Sequence, residues 1–198
     1  MLIYSLKEEY SRMGRYIVAI LMSLGLLTLL IVLLISGSNR SKKANPIFLP
    51  NYASNPSSEI LFTQSGPIIS NETHNYLQIA VTSSSVQFNL FQGYQNNVIA
   101  SKIYNNNQQS YSAFLYALYY AGFNIGNNDP KLLNNTGYCS MGDLYTFELL
   151  NNNKVIQKYW TSNCSSVPGT YGGQSYNTIN LFRTQVPDYS SMTSNARF

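Results

Sequence analysis

Hydrolysis through a serine or cysteine nucleophile needs a base, and the chain has one histidine, His74, in the polar run SNETHNY. That run reads as a loop and His74 as a surface residue. Together with Cys139 and Cys164, the only cysteines, it falls short of the three or four ligands a zinc site requires. No metal or cofactor set is legible, and no catalytic one. Asp129, Asp143 and Glu148 lie within twenty residues of one another and could supply the acid/base pair of a glycan-cleaving site if two of them converged. Glu148 is more simply placed for a cross-strand ion pair with Lys154 or Lys158. GTYGG at 169–173 lacks the lysine and spacing of a phosphate loop and reads as a tight turn before a helix, with flexibility that could serve binding.

The two cysteines bracket a strand-like repeat. In Leu144 to Leu150 and in Val155 to Trp160, aromatic, branched and polar residues alternate, and Asn151-Asn152-Asn153 between them tolerates the left-handed conformation of a tight turn. A β-hairpin is expected. A two-residue turn at Asn151-Asn152 sets Phe147 opposite Ile156 and Cys139 opposite Cys164, within disulfide reach. A Cys139–Cys164 bridge implies an oxidising compartment; two unrelated buried thiols are the alternative.

The elements that must position these residues begin with an apolar run. Residues 16–35, YIVAILMSLGLLTLLIVLLI, carry no charge and as a helix would extend about 30 Å, enough to span the hydrocarbon core of a bilayer. The run is longer than the apolar region of a cleavable signal peptide, shows no polar face for a core helix, and lacks a pilin-type processing signature. A membrane-spanning anchor is expected, after a cytoplasmic segment at 1–15. The net charge of +4 belongs to its flanks, where Lys7, Arg12, Arg15, Arg40, Lys42 and Lys43 outnumber Glu8 and Glu9. From Ala44 onward, Lys102, Lys131, Lys154, Lys158, Arg183 and Arg197 are balanced by Glu59, Glu72, Asp129, Asp143, Glu148 and Asp188. A basic nucleic-acid footprint is therefore absent from the folded part. Positive charge flanks the span equally on both sides, so orientation rests on the cysteines.

Residues 36–58, rich in proline and small polar side chains, read as a stalk, and 59–189 as the extracytoplasmic domain. Tyr76 to Val81, Val86 to Leu90 and Val98 to Tyr104 form an expected three-strand meander. In QQSYSAFLYALYYAGF, Tyr111, Phe114, Leu115, Leu118 and Tyr119 recur at helical spacing, with Gly122 as the stop. Ile179, Phe182 and Val186 support a short helix ended by Pro187, and 190–198 reads as a flexible tail. The order β-β-β-α-β-β-α gives an α+β fold, helices packed on a small antiparallel sheet after the membrane helix.

The runs FLYALYYAGFNIG, GYCSMGDLYTFELLNNNKVIQKYWTSNC, GTYGG and LFRTQVPDY resemble a group of uncharacterised single-pass envelope proteins of ultra-small, host-attached candidate-phylum bacteria, over about residues 76–189. The resemblance implies a bacterial, outward-facing domain and no established activity. Uncharged asparagine and tyrosine dominate the domain and suit an adaptable contact surface. Tyr94, Tyr104, Tyr138 and Tyr171, near turns, are the candidate binding residues. The expected function is a membrane-anchored binding or structural module of the cell envelope, in surface attachment or envelope assembly. Its partners would be the lipid bilayer, through the N-terminal helix, and a protein or glycan at the cell surface. The alternative is an envelope enzyme acting on cell-wall glycan or peptide, which would need His74 or an acidic pair in a cleft.

Overall fold

A computed structural model describes residues 20–32, 47–167 and 169–198, in two units divided near Ser41. The cytoplasmic segment expected at 1–15, the two ends of the expected span and residues 36–46 of the expected stalk lie outside the described residues. In the first unit, residues 20–32 form helix α1, whose leucines, isoleucines and valine are exposed along its whole described length. Thirteen residues of helix cover about 20 Å. Among the described residues no helix is long and apolar enough to cross a membrane.

The second unit is a six-stranded antiparallel sheet with helices on one face, in the order β4-β3-β2-β1-β5-β6. The strands are β1 (Ser58–Ser65), β2 (Asn75–Val81), β3 (Ser85–Gln92), β4 (Asn97–Asn105), β5 (Leu144–Asn151) and β6 (Lys154–Ser162). The helices are α2 (Gln108–Tyr120), α3 (Ser175–Arg183) and the single turn α4 (Tyr189–Met192). The α+β class and the meander, helix, hairpin, helix sequence match expectation. One strand is additional, and it is the central one. In β1, Ser58, Ile60, Phe62 and Gln64 are buried on one face, and the strand pairs on one side with β2 and on the other with β5.

The core lies between this face and the helices. Phe62 stands opposite Ile79 in β2 and Phe147 in β5, and its ring stacks on Phe147 at 5.6 Å and on Phe182 of α3 at 5.1 Å. Phe114 of α2 meets Phe182 edge-on at 5.3 Å. Each fully buried phenylalanine contributes roughly 1.5–3 kcal/mol of transfer free energy. Helix α2 starts at Asn107, whose side chain accepts from the Ser110 N–H, and buries Tyr111, Phe114, Leu115 and Leu118 as the spacing predicts. Gly122, at φ +82°, ends it with its backbone against Gly173.

Three boundaries differ from the sequence reading. The folded domain begins by Ile47, inside the expected stalk: Leu49 is fully buried, Phe48 packs edge-on against Tyr119 at 5.0 Å, and the Ile47 carbonyl accepts from Asn124. The prolines there shape a 3-10 turn, Leu49–Tyr52, with proline in its first positions, where the missing N–H costs no hydrogen bond. The expected tail carries α4, with Tyr189 against Phe88 and Arg183, and Ala196 and Phe198 pack on the core. The hairpin turn is Asn152-Asn153, at φ +50° and +60°, and a bulge between Leu149 and Leu150 adds one more residue of offset. Phe147 therefore faces Tyr159, not Ile156. The expected pairing would have set Phe147 opposite an exposed residue, whereas Tyr159 is buried with it.

Cys139 and Cys164 form the expected disulfide, with Cα atoms 5.6 Å apart. They are not facing strand residues: Cys139 sits in a turn at φ +52° before β5, and Cys164 follows β6. Gly142 makes the closure possible, because a Cβ there would meet both sulphurs and the Asn163 side chain. The Asn163 Oδ1 accepts from the Asp143 N–H at 2.9 Å, so the bridge and this bond together clamp the base of the hairpin. With the cysteines 25 positions apart in sequence, replacing both by serine is expected to cost about 3.5 kcal/mol in urea denaturation. Asn153→Val is expected to cost about 1–2 kcal/mol because a branched side chain resists positive φ, while Asn153→Gly is neutral or stabilising.

Candidate functional site

The four tyrosines chosen from sequence do not share a pocket among the described residues. Tyr171 is a correction: it is buried, its hydroxyl 2.7 Å from that of Thr178 and its ring 4.6 Å from Phe147. The GTYGG segment is a fixed strap. The N–H groups of Thr170 and Tyr171 both donate to the Trp160 carbonyl, and the Thr170 hydroxyl accepts from the Trp160 N–H. Tyr104 is half-buried beside Asp188 and Met192. Tyr138 lies over Trp160, whose indole N–H donates to the Leu132 carbonyl. Tyr94 is half exposed, with its hydroxyl donating to the Ile69 carbonyl at 2.8 Å.

His74 is a second correction, since it is buried. Its ring stacks on Tyr94 at 4.3 Å and its Nδ1 is 2.9 Å from the Pro67 carbonyl, which can only accept, so Nδ1 carries the proton. With the Gly93 N–H donating to the His74 carbonyl and the Tyr94 N–H to the Asn71 side chain, this histidine staples the 66–74 loop to the β3–β4 turn.

The carboxylates are similarly occupied. Asp143 accepts from the Gln64 amide and the Tyr145 hydroxyl, each at 3.1 Å, and Gln64 in turn accepts from Arg183. Burial pushes the Asp143 carboxyl above the usual carboxylate range, against the lowering effect of those two hydrogen bonds and of Arg183. Glu148 pairs with Lys158 at 3.1 Å, the cross-strand ion pair expected. Asp129 caps its own turn through the Lys131 N–H. No three histidine, cysteine or acidic side chains are gathered for a metal among the described residues.

A ligand-sized concavity lies elsewhere, between α2 and α3. It encloses about 450 Å³ and is lined by Ala117, Tyr120 and Ala121 from one side and by Gln174, Asn177, Asn180, Leu181 and Thr184 from the other. The geometry follows from the two helix surfaces. Ala117 and Ala121, one turn apart, leave space where larger side chains would fill the seam. Helix α3 turns Ile179 and Phe182 to the core and so presents its amides to the other side. The Gln174 N–H donates to the Ala121 carbonyl at 2.8 Å, fixing the start of α3 against the end of α2. Tyr120, 75% exposed, supplies an aromatic wall. Every lining side chain is uncharged.

That combination of apolar floor, aromatic wall and amide rim can hold a neutral, hydroxyl-rich ligand by stacking and paired hydrogen bonds. It offers no acid, base or nucleophile beyond a hydroxyl. The alanine pair beside Tyr120 was the one sequence signal for this groove, and it is indistinguishable from ordinary helix composition until α3 is known to lie alongside. A second, more polar concavity of about 630 Å³ is lined by Asn71, Glu72, Gln92, Gln95, Asn96, Asn97 and Val98. No family model and no curated protein matches this sequence.

Burial raises the phenols of Tyr111, Tyr145 and Tyr171 to about 12, against about 10 in an unfolded chain. The unfolded state then releases these protons first. Their stabilising effect is full below about pH 10 and is lost as pH rises towards 12. Urea midpoints measured across that window should fall steeply. Tyr171→Phe should flatten the slope while costing about 1 kcal/mol at neutral pH through the lost Thr178 bond.

Proposed function

We propose that this chain is a membrane-anchored, extracytoplasmic binding module of the cell envelope, whose α2–α3 groove takes a neutral glycan in surface attachment or envelope assembly. The observation that carries the reading is the groove itself: eight uncharged lining residues, with an exposed tyrosine beside three amides. Sugars present apolar ring faces to aromatics and hydroxyl pairs to amides, and they demand no countercharge. The uncharged run at 16–35 supports an anchor, and the Cys139–Cys164 bridge supports an oxidising compartment. The resemblance to outward-facing envelope proteins agrees with both.

The enzyme reading has less support. It needs titratable groups free to converge on a substrate, yet His74 is committed to Pro67 and Tyr94, and Asp143 to Gln64 and Tyr145.

Titration of the oxidised full-length chain with neutral oligosaccharides, cello- and chito-oligomers among them, tests the ligand. Tyr120→Ala is expected to weaken binding about tenfold, the equivalent of one lost aromatic contact, with the circular dichroism spectrum unchanged. Saturable binding that is indifferent to Tyr120→Ala would remove the groove from the proposal. For location, thiol reagents applied to intact cells should label Cys139 and Cys164 only after reduction. Labelling that needs permeabilisation and no reductant would reverse the orientation.

A further inference from the structure

The two edges of the sheet are treated differently. At β6 the backbone around Trp160 is covered by the 169–171 strap, and the strand begins at the exposed Lys154, a charge outside any ion pair among the described residues that discourages another strand from joining. Strand β4, nine residues long, has neither protection: among the described residues nothing pairs with its far side. Ile99 and Ile103 on it are 48% and 65% exposed. Its one charge, Lys102, is turned to the helix face and held by Asp188.

The sequence of β4 is symmetric about its middle residue at alternate positions. NVIASKIYN places Asn97 and Asn105 at the ends, Ile99 and Ile103 inside them, and Ser101 at the centre. From Ser101 onward these are also the positions that matter at the edge; Asn97, beyond the register shift, pairs with Gln92 of β3. The Asn106 N–H donates to the Ser84 carbonyl, so the ladder bonds to β3 fall on the even-numbered residues of β4. Ser101, Ile103 and Asn105 accordingly direct their own N–H and C=O groups outward. Ile99 is the extra residue where the β3–β4 register shifts, and no residue of β3 is paired with it.

We propose that β4 is a homodimerisation edge, joining antiparallel to β4 of a second copy about a two-fold axis through Ser101. In that register Ser101 exchanges both backbone hydrogen bonds with its counterpart, and Ile99 of each copy lies across from Ile103 of the other. Four isoleucines close into one apolar patch on the outer face of a continuous twelve-stranded sheet. Lys102 falls opposite Ala100, which leaves it room and avoids a like-charge pair. Sliding the pairing so that the axis passes through Lys102 would set the two lysines face to face. Self-complementarity of this kind is what an isologous interface requires, and it is the reason a second copy, rather than an unrelated strand, is the occupant. The inference is independent of what the α2–α3 groove binds.

The test uses the full-length chain in mild detergent with its native disulfide intact. Ser101→Cys should form an intermolecular disulfide under mild oxidation, because a directly opposed pair brings the two Cα atoms to about 5.5 Å. Gln87→Cys, exposed on the same face but one strand in from the edge, should not. Adding Ile103→Lys to Ser101→Cys should lower the cross-linked yield about tenfold by removing both isoleucine pairs. Ile103 is exposed, so the circular dichroism spectrum should be retained. Equal cross-linking of the Ser101→Cys and Gln87→Cys chains, or a yield indifferent to Ile103→Lys, would overturn the proposal. So would a dimer by sedimentation in which Ser101→Cys does not cross-link, since association would then run through another surface.

Discussion

The domain depends on β1 being held on both of its edges at once. Without β1 the sheet would be two separate antiparallel pieces, the β2-β3-β4 meander and the β5-β6 hairpin, and a hairpin alone is at best marginal in water. Phe62 joins them. Opposite Ile79 on one side and Phe147 on the other, with Phe182 stacked above, it turns two half-faces into one surface broad enough to bury α2 and α3. The pairing is long-range: β1 and β5 are separated by more than seventy residues' worth of intervening structure, so it forms against a loop-closure cost that the pooled aromatic burial must offset.

The groove follows from that arrangement. Helices α2 and α3 both lie on the platform made by β1 and its neighbours, α2 turning Tyr111, Phe114, Leu115 and Leu118 inward and α3 Ile179 and Phe182. Their facing flanks are left to alanine, amides and a projecting tyrosine, so the concavity is a by-product of how the core is filled. Its neutrality has a parallel in the rest of the domain, where charged and titratable groups serve the fold. Glu148 joins β5 to β6, Asp188 joins the C-terminal turn to β4, and Asp143 ties β1 to the disulfide end of the hairpin through Gln64. A buried histidine fastens one loop to another. Groups committed in this way hold positions.

Much of the local architecture was legible in the residues because it is governed by near neighbours. The α2 stripe needs only the 3.6-residue period, the β5 and β6 strands only alternation, and the Cys139–Cys164 bridge only a hairpin between its members. The ion pair of Glu148 with Lys158 follows from the same hairpin. What local pattern left open was decided by contacts between distant segments. SEILFTQS alternates no more strongly than other polar stretches of this chain, and its place at the centre of the sheet depends on Val81, Ile79, Leu149 and Phe147 far along the sequence. Leu49, in a proline-rich run that resembles a stalk, is buried because α2 and the loop after it come to lie against it.

Composition and spacing by themselves determined that this is an α+β chain with a charge-balanced domain, one disulfide-closed hairpin and an apolar N-terminal run. These properties depend on residue identity and on separations of a few to some tens of residues. Tertiary structure alone decided which of several exposed-looking tyrosines are buried, that His74 is a staple, that Phe147 faces Tyr159, and that a neutral concavity walled by Tyr120 opens between α2 and α3. Side-chain periodicity tells a residue which face of its own element it occupies; only the packing of one element on another determines whether that face is covered or left as a surface.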